Sequence, residues 1–310
     1  MKLFKPKFWK SNKNFFTVLL IPLSLITWIY IILKKTFIQK VKFNIPVICV
    51  GNIFIGGTGK TPLSIHIARK LSENGKNPAI VRKYYKSHID EHKMILSYYN
   101  KLILNLNRSK GIYEALEKGY DAVILDDGFQ DYKIKKNLSI ICFNSNQLIG
   151  NGYLFPSGPL RESLGSLRNA NILIINGDKN LDFEQKILKI QKNLKIYYSN
   201  YKPLNIQEFK DKRLLVISGI GNPENFFKIL KDNQLNVQKK MVYPDHYEFT
   251  KNEMLKIVEN AKKNDFQIVM TEKDYYKIKD FSLENIKYLR IKLEIEKEEE
   301  FIKNVMKAYD

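Results

Sequence analysis

The residues best suited to chemistry form one short stretch, Gly51-Asn52-Ile53-Phe54-Ile55-Gly56-Gly57-Thr58-Gly59-Lys60-Thr61. Glycines let backbone N–H groups come close to phosphate oxygens. A lysine at position 60 can reach the β- and γ-phosphates of a nucleotide, and the Thr61 hydroxyl can ligate Mg²⁺. The expected phosphate contact therefore covers Phe54, Ile55, Gly56, Gly57, Thr58, Gly59, Lys60 and Thr61. The strict phosphate-loop pattern has glycine where Phe54 stands. A second stretch, Asp121-Ala122-Val123-Ile124-Leu125-Asp126-Asp127-Gly128-Phe129-Gln130, is an apolar run ending in two carboxylates. An acid at the end of a neighbouring strand holds Mg²⁺ directly or through water. Asp126 is assigned to the metal and Asp127 to the catalytic set. ATP and Mg²⁺ are the ligands these stretches imply, while the reaction itself stays open.

The elements that must position these groups follow from periodicity. Asn44 to Val50 is a buried parallel strand by its apolar run, and Pro62 to Leu71 has helical spacing, with Pro62 in a first turn where a missing N–H costs nothing. Further strands near 78–82, 121–126, 138–143 and 171–176 describe a P-loop NTPase-like parallel sheet in an α/β core. Leu214–Ser218, Gln238–Tyr243 and Gln267–Met270 alternate with helical segments Pro223–Lys231 and Lys251–Lys262, which predicts a second, smaller α/β domain. Ile196–Tyr201 and Ile286–Leu293 are expected to pair as a two-stranded connector. The resulting division is 1–36 for an N-terminal helix, 37–195 for the core, 196–295 for the smaller domain and 296–310 for a helix returning to the core.

Phe15 to Leu33 contains no charged residue, and at about 19 residues it is near the length that crosses a bilayer core. Lys2, Lys5, Lys7, Lys10 and Lys13 precede it, and Lys34, Lys35 and Lys40 follow it. Cations on both sides and Pro22 in the middle fit a full span or a helix lying in the interface of an anionic membrane. The formal net charge of +20 is spread along the whole chain, and no aromatic-plus-basic module accompanies it, so nucleic acid is not an expected partner. No obligate protein partner is evident. The two cysteines, Cys49 and Cys142, lie in apolar runs without metal-ligand spacing and read as small buried hydrophobes.

Taken together, several blocks resemble the tetraacyldisaccharide 4'-kinases of lipid A biosynthesis. They are Val50-Gly51-Asn52, Gly56 to Pro62, Leu125 to Gln130, Gly150-Asn151-Gly152, Pro156 to Glu162, Gly219 to Pro223, Pro244-Asp245-His246 and Thr271-Glu272-Lys273-Asp274, in the family's order. The resemblance implies transfer of the ATP γ-phosphate to the 4'-hydroxyl of an acylated glucosamine disaccharide 1-phosphate. The site of action would be the cytoplasmic face of the inner membrane in a Gram-negative-type bacterium. Two other readings are a membrane-recruited ATPase switch and a kinase of a soluble small molecule. The signature lysine of partitioning-type ATPases is replaced by Ile55, and the apolar N-terminal helix argues against a soluble acceptor.

The resemblance also carries residue roles. Asp90 is the implied candidate base and Glu91 a Mg²⁺ or water-shell group, with His246 paired to Asp90, and either Asp90 or His246 takes the acceptor proton. Ile89 and His92 flank the pair where the family has Gly and Pro, and Val81-Arg82-Lys83-Tyr84-Tyr85 replaces Ser-Arg-Gly-Tyr-Gly. Asp131 replaces a family histidine. His88 and His92 are expected in a solvated loop. Arg161 suits a phosphate contact or is a surface charge near a helix start, and Gln130 completes the substrate candidates.

Overall fold

The computed structural model describes residues 6–10, 14–245 and 247–310. His246, Lys2, Lys5 and Lys13 lie outside the described residues. The strands of the first part are β1 (Val47–Gly51), β2 (Pro78–Lys83), β3 (Leu102–Asn105), β4 (Ala122–Asp126), β5 (Leu138–Asn144), β6 (Ile172–Asn176) and β7 (Lys195–Pro203). The second part carries β8 (Leu214–Ser218), β9 (Val237–Val242), β10 (Gln267–Thr271) and β11 (Ile286–Leu289), and β12 (Ile291–Ile295) follows. Eight strands form one sheet in the order β12-β7-β6-β5-β1-β4-β2-β3, and four form another in the order β11-β10-β8-β9.

Two compact units result. The larger holds the described residues up to Tyr84 together with Tyr99–Asn200 and Ile295–Asp310, and the smaller holds Tyr85–Tyr98 and described residues of Tyr201–Glu294. In the larger unit β1 lies between β4 and β5, parallel to both. Its five residues are all buried, as are those of β4 and β6, so the strands read as unbroken apolar runs because both faces are covered. Helix Lys60–Glu73 and helix Arg108–Glu117 pack on this sheet, with Ile67, Leu71, Ile112 and Ala115 among their buried residues.

The expected strands are present, with two differences. β3 was not anticipated, because a four-residue edge strand of mixed burial gives no periodicity to read. Ile286–Leu293 is two strands, not one: it breaks at Arg290, whose backbone N–H donates to Asn205 Oδ1 at 2.9 Å. Its first half pairs with β10 in the four-stranded sheet. Only the second half, as β12, lies beside β7.

The N-terminal apolar stretch folds as helices Phe15–Leu19 and Ile21–Phe37. Its polarity is inverted relative to the other helices. Thr17 and Ser24 face inward, whereas Phe15, Leu19, Ile26, Tyr30 and Phe37 are exposed. Ser24 Oγ donates to Leu154 O at 2.8 Å and accepts from Ser157 N at 3.0 Å, and Trp9 Nε1 donates to Pro156 O at 3.0 Å. Lys35 pairs with the buried Glu162, and its ammonium lies 4.9 Å from the Tyr132 ring centroid. Among the described residues, no helix is long and apolar enough to cross a membrane.

Candidate active site

β1 leads into the glycine loop. A Cβ at Gly51 would come within 2.5 Å of Phe129 Cβ, so only glycine lets the end of β1 pass the turn that follows β4. Asn52 braces the loop from within, its Nδ2 donating to Gly56 O at 3.2 Å and to Thr58 Oγ1 at 3.0 Å. Gly59 adopts φ 90°, a left-handed conformation that turns the chain into helix Lys60–Glu73. Within the stretch 54–61, the first two residues are already engaged elsewhere in the protein. Phe54 is buried in the core and bridged to Leu160, and the Ile55 N–H donates to Pro159 O at 2.8 Å. Arg161 N donates to Ile53 O at 2.7 Å, so residues 53–55 and 159–161 are zipped together.

At the end of β4, Asp126 is fully buried and accepts three hydrogen bonds. Its Oδ1 accepts from Ser64 Oγ at 3.0 Å, and its Oδ2 accepts from Thr61 Oγ1 at 3.0 Å and from Arg82 Nη1. Arg82 Nη1 also donates to Thr61 Oγ1 at 3.1 Å. Asp127 adopts φ 56°, a strained conformation for a residue with a side chain. Cations hold it there. Lys60 Nζ lies 3.6 Å from its carboxylate and Arg161 Nη1 3.2 Å, while Arg108 Nη2 donates to its carbonyl at 2.7 Å. Burial on its own would raise the Asp127 pKa, but Lys60, Arg161 and Arg108 outweigh it and keep the carboxyl below its ordinary value. Lys60 shows the reverse balance: burial lowers its pKa against the pull of Asp127.

Lys60, Thr61, Asp126, Asp127 and Arg161 are thus gathered at the C-terminal ends of β1 and β4, where ligands bind in open parallel sheets. Arg161 makes a specific carboxylate contact. Gln130 spends its amide donor on Asn52 O at 2.8 Å, bracing the loop. Asp131, in place of the family's histidine, lies 3.7 Å from Arg108. Sequence reasoning gave no role to Arg82, Ser64, Asn52 or Arg108; the one available signal was a lone arginine ending the apolar run of β2.

Asp90 and Glu91 belong to the smaller unit, although their place in the chain assigns them to the core. They open helix Ile89–Tyr98, whose first turn suits carboxylates through the helix dipole. His92 is buried on that helix instead of lying in a solvated loop, because the helix packs one face inward. Lys273 Nζ bonds Glu91 Oε1 at 2.7 Å and Asp245 Oδ1 at 3.3 Å. Tyr98 Oη donates to Glu272 Oε1 at 2.7 Å, and Lys93 pairs with Asp280 at 2.6 Å. Burial raises the Glu272 pKa against that tyrosine hydrogen bond. Asp90 is 5% exposed, and among the described residues neither of its oxygens has a hydrogen-bond partner. Asp274 is buried and accepts from Gly219 N at 2.7 Å, tying the glycine loop after β8 to the end of β10.

The family described as tetraacyldisaccharide-1-P 4'-kinase (LpxK) matches residues 16–310. This chain belongs to that family. A tetraacyldisaccharide 4'-kinase of Pelagibacter ubique is 41% identical over 99% of this chain and 98% of its own length. One of Rickettsia canadensis is 33% identical over 95% of this chain and 94% of its own. The crystal structure of LpxK from Aquifex aeolicus in complex with ATP resembles the chain with a TM-score of 0.72 at 24% identity, covering 95% of this chain and 99% of that one. That likeness extends the LpxK fold over both units. The α/β class expected from the strand pattern is therefore the family's fold.

Proposed function

We propose that this protein transfers the γ-phosphate of ATP to the 4'-hydroxyl of a tetraacyldisaccharide 1-phosphate, at the cytoplasmic surface of a Gram-negative inner membrane. The observation that carries the proposal is the meeting of Lys60 and Thr61 with Asp126 and Asp127 in a chain of this family. Asp126 and Thr61 offer hard oxygen donors 3.0 Å apart, and Mg²⁺ is typically held by one or two such groups together with substrate phosphates. The donor set fits the ion. When bound, Mg²⁺ would neutralise charge on the transferring phosphoryl group.

The loop 56–61 and Lys60 would cradle the phosphates. Arg161, already aimed at Asp127, would steady the same region. Asp127 would hold Lys60 and Arg161 in register. Asp90 is proposed as the base for the acceptor hydroxyl, with His246 as its partner and Glu91 as a metal or water-shell group.

Membrane contact would come from helices Phe15–Leu19 and Ile21–Phe37. An apolar face turned outward, with Lys10 before it and Lys34 and Lys35 behind, suits a helix lying in the interface. Thin-layer analysis of radiolabelled ATP with disaccharide 1-phosphate in detergent micelles tests the proposal. Label on the lipid, abolished by Lys60→Ala, is the expected result. Label released only as inorganic phosphate would sink it.

A further inference from the structure

The guanidinium of Arg82 stands where the metal reading needs room. Arg82 and Asp126 are register neighbours at the C-terminal ends of β2 and β4. The backbone of Arg82 is fixed in the sheet, and its side chain is nearly enclosed, with 5% of the residue exposed. Asp126 has two oxygens to offer. Oδ1 accepts from Ser64 at 3.0 Å, and Oδ2, the oxygen beside the Thr61 hydroxyl, is the atom that Arg82 Nη1 holds. The Thr61 hydroxyl is contested too. Its proton points to Asp126 Oδ2, and one of its two lone pairs accepts from Arg82 at 3.1 Å.

A carboxylate buried this deeply is costly without a counter-charge. A guanidinium and a divalent ion crowded on one oxygen would repel strongly in such surroundings. We infer that Arg82 is the resident counter-cation of the metal position, and that Arg82 and the divalent ion hold Asp126 and Thr61 alternately. Arg82 supplies the counter-charge and aims the carboxylate; entry of the metal with its nucleotide turns the guanidinium out. Arg82 is a positioning residue in this account. Its presence penalises metal binding without nucleotide, which ties metal capture to arrival of the phosphates. The inference rests on the assignment of Thr61 and Asp126 to the metal.

The test is Mn²⁺ binding by the full chain, followed by electron paramagnetic resonance and by thermal melting, with and without a non-hydrolysable ATP analogue. Arg82→Met should bind Mn²⁺ without nucleotide about tenfold more tightly than wild type, since the competing charge is gone. Its melting temperature should fall without metal and recover with Mn²⁺, a rescue absent from wild type. Adding Asp126→Asn to Arg82→Met should remove both effects. Should Arg82→Met fold poorly, Arg82→Gln, shorter but still a hydrogen-bond donor and uncharged, should shift Mn²⁺ affinity in the same direction. If neither variant gains affinity while Asp126→Asn weakens Mn²⁺ binding with the analogue, Arg82 is only a structural partner and the inference falls. If Asp126→Asn leaves Mn²⁺ binding with the analogue unchanged, the metal assignment falls and takes the inference with it.

Discussion

Two carboxylates with proposed catalytic roles live under opposite conditions. Asp127, in the larger unit, is ringed by Lys60 and Arg161 at its side chain and by Arg108 at its carbonyl. Asp90, in the smaller unit, is more deeply buried, and among the described residues no donor reaches its carboxylate. A carboxylate satisfied by cations is a poor proton acceptor and a good organiser. One left without donors has its oxygens open to a new partner. The roles proposed for the two carboxylates, an organiser of cations and a base for a hydroxyl, differ in the same sense as their surroundings.

The contrast breaks or sharpens under substitution. The largest effect is expected at the centre of the clamp. Lys60→Ala should lower kcat by a factor on the order of 10³, as for removal of a main charge stabiliser, measured as phosphate transfer at saturating lipid. Asp90→Asn should lower kcat by about 10²-fold, with affinity for an ATP analogue unchanged in calorimetry. If Asp127→Asn instead gave that signature, a lost kcat at constant nucleotide affinity, the division of roles would be reversed.

Asp127 should also be visible in acid. Its folded pKa is depressed, so its stabilising contribution is complete above the unfolded carboxylate value near about 4 and fades as pH falls further. Asp127→Asn should therefore flatten the loss of melting temperature below that pH. An unchanged acid limb would show that the cations do not hold this carboxylate. The smallest effect belongs to the support of Asp90. Tyr98→Phe removes the bond to Glu272 and should destabilise by about 1 kcal/mol in urea unfolding, leaving Lys60-dependent nucleotide binding intact.

Much of the clamp was legible in the sequence, because its signals are local. Apolar runs at residues 47–50 and 122–125 end in a glycine loop and in paired acids, and period and punctuation alone place Lys60 at a helix start and Asp126 at a strand end. Arg82 was not legible. Its role depends on β2 lying next to β4, and strand order is a property of the whole sheet. The allegiance of Asp90 was hidden for a similar reason, since Tyr98 meets Glu272 across 174 positions of chain. Phe54 stands where the strict pattern has a glycine, and its bridge to Leu160 and its burial in the core depend on a distant segment that no local pattern shows. The inverted N-terminal helix was half readable. Hydropathy marks its apolar residues, but that Ser24 rather than a leucine faces inward follows from the carbonyl of Leu154 waiting for a donor.

Because helix Ile89–Tyr98 is held by Lys273, Glu272 and Asp280, the smaller unit is stitched from two distant pieces of chain. No single cut in the gene separates the two units. A fragment ending at Asn200 would carry that helix with its anchoring side chains facing water, and one beginning at Tyr201 would lack it. Expression of either half is then a poor route to an isolated nucleotide-binding module, whereas excising 85–98 and 201–294 together, with short bridges, is the design the chain's own connectivity recommends.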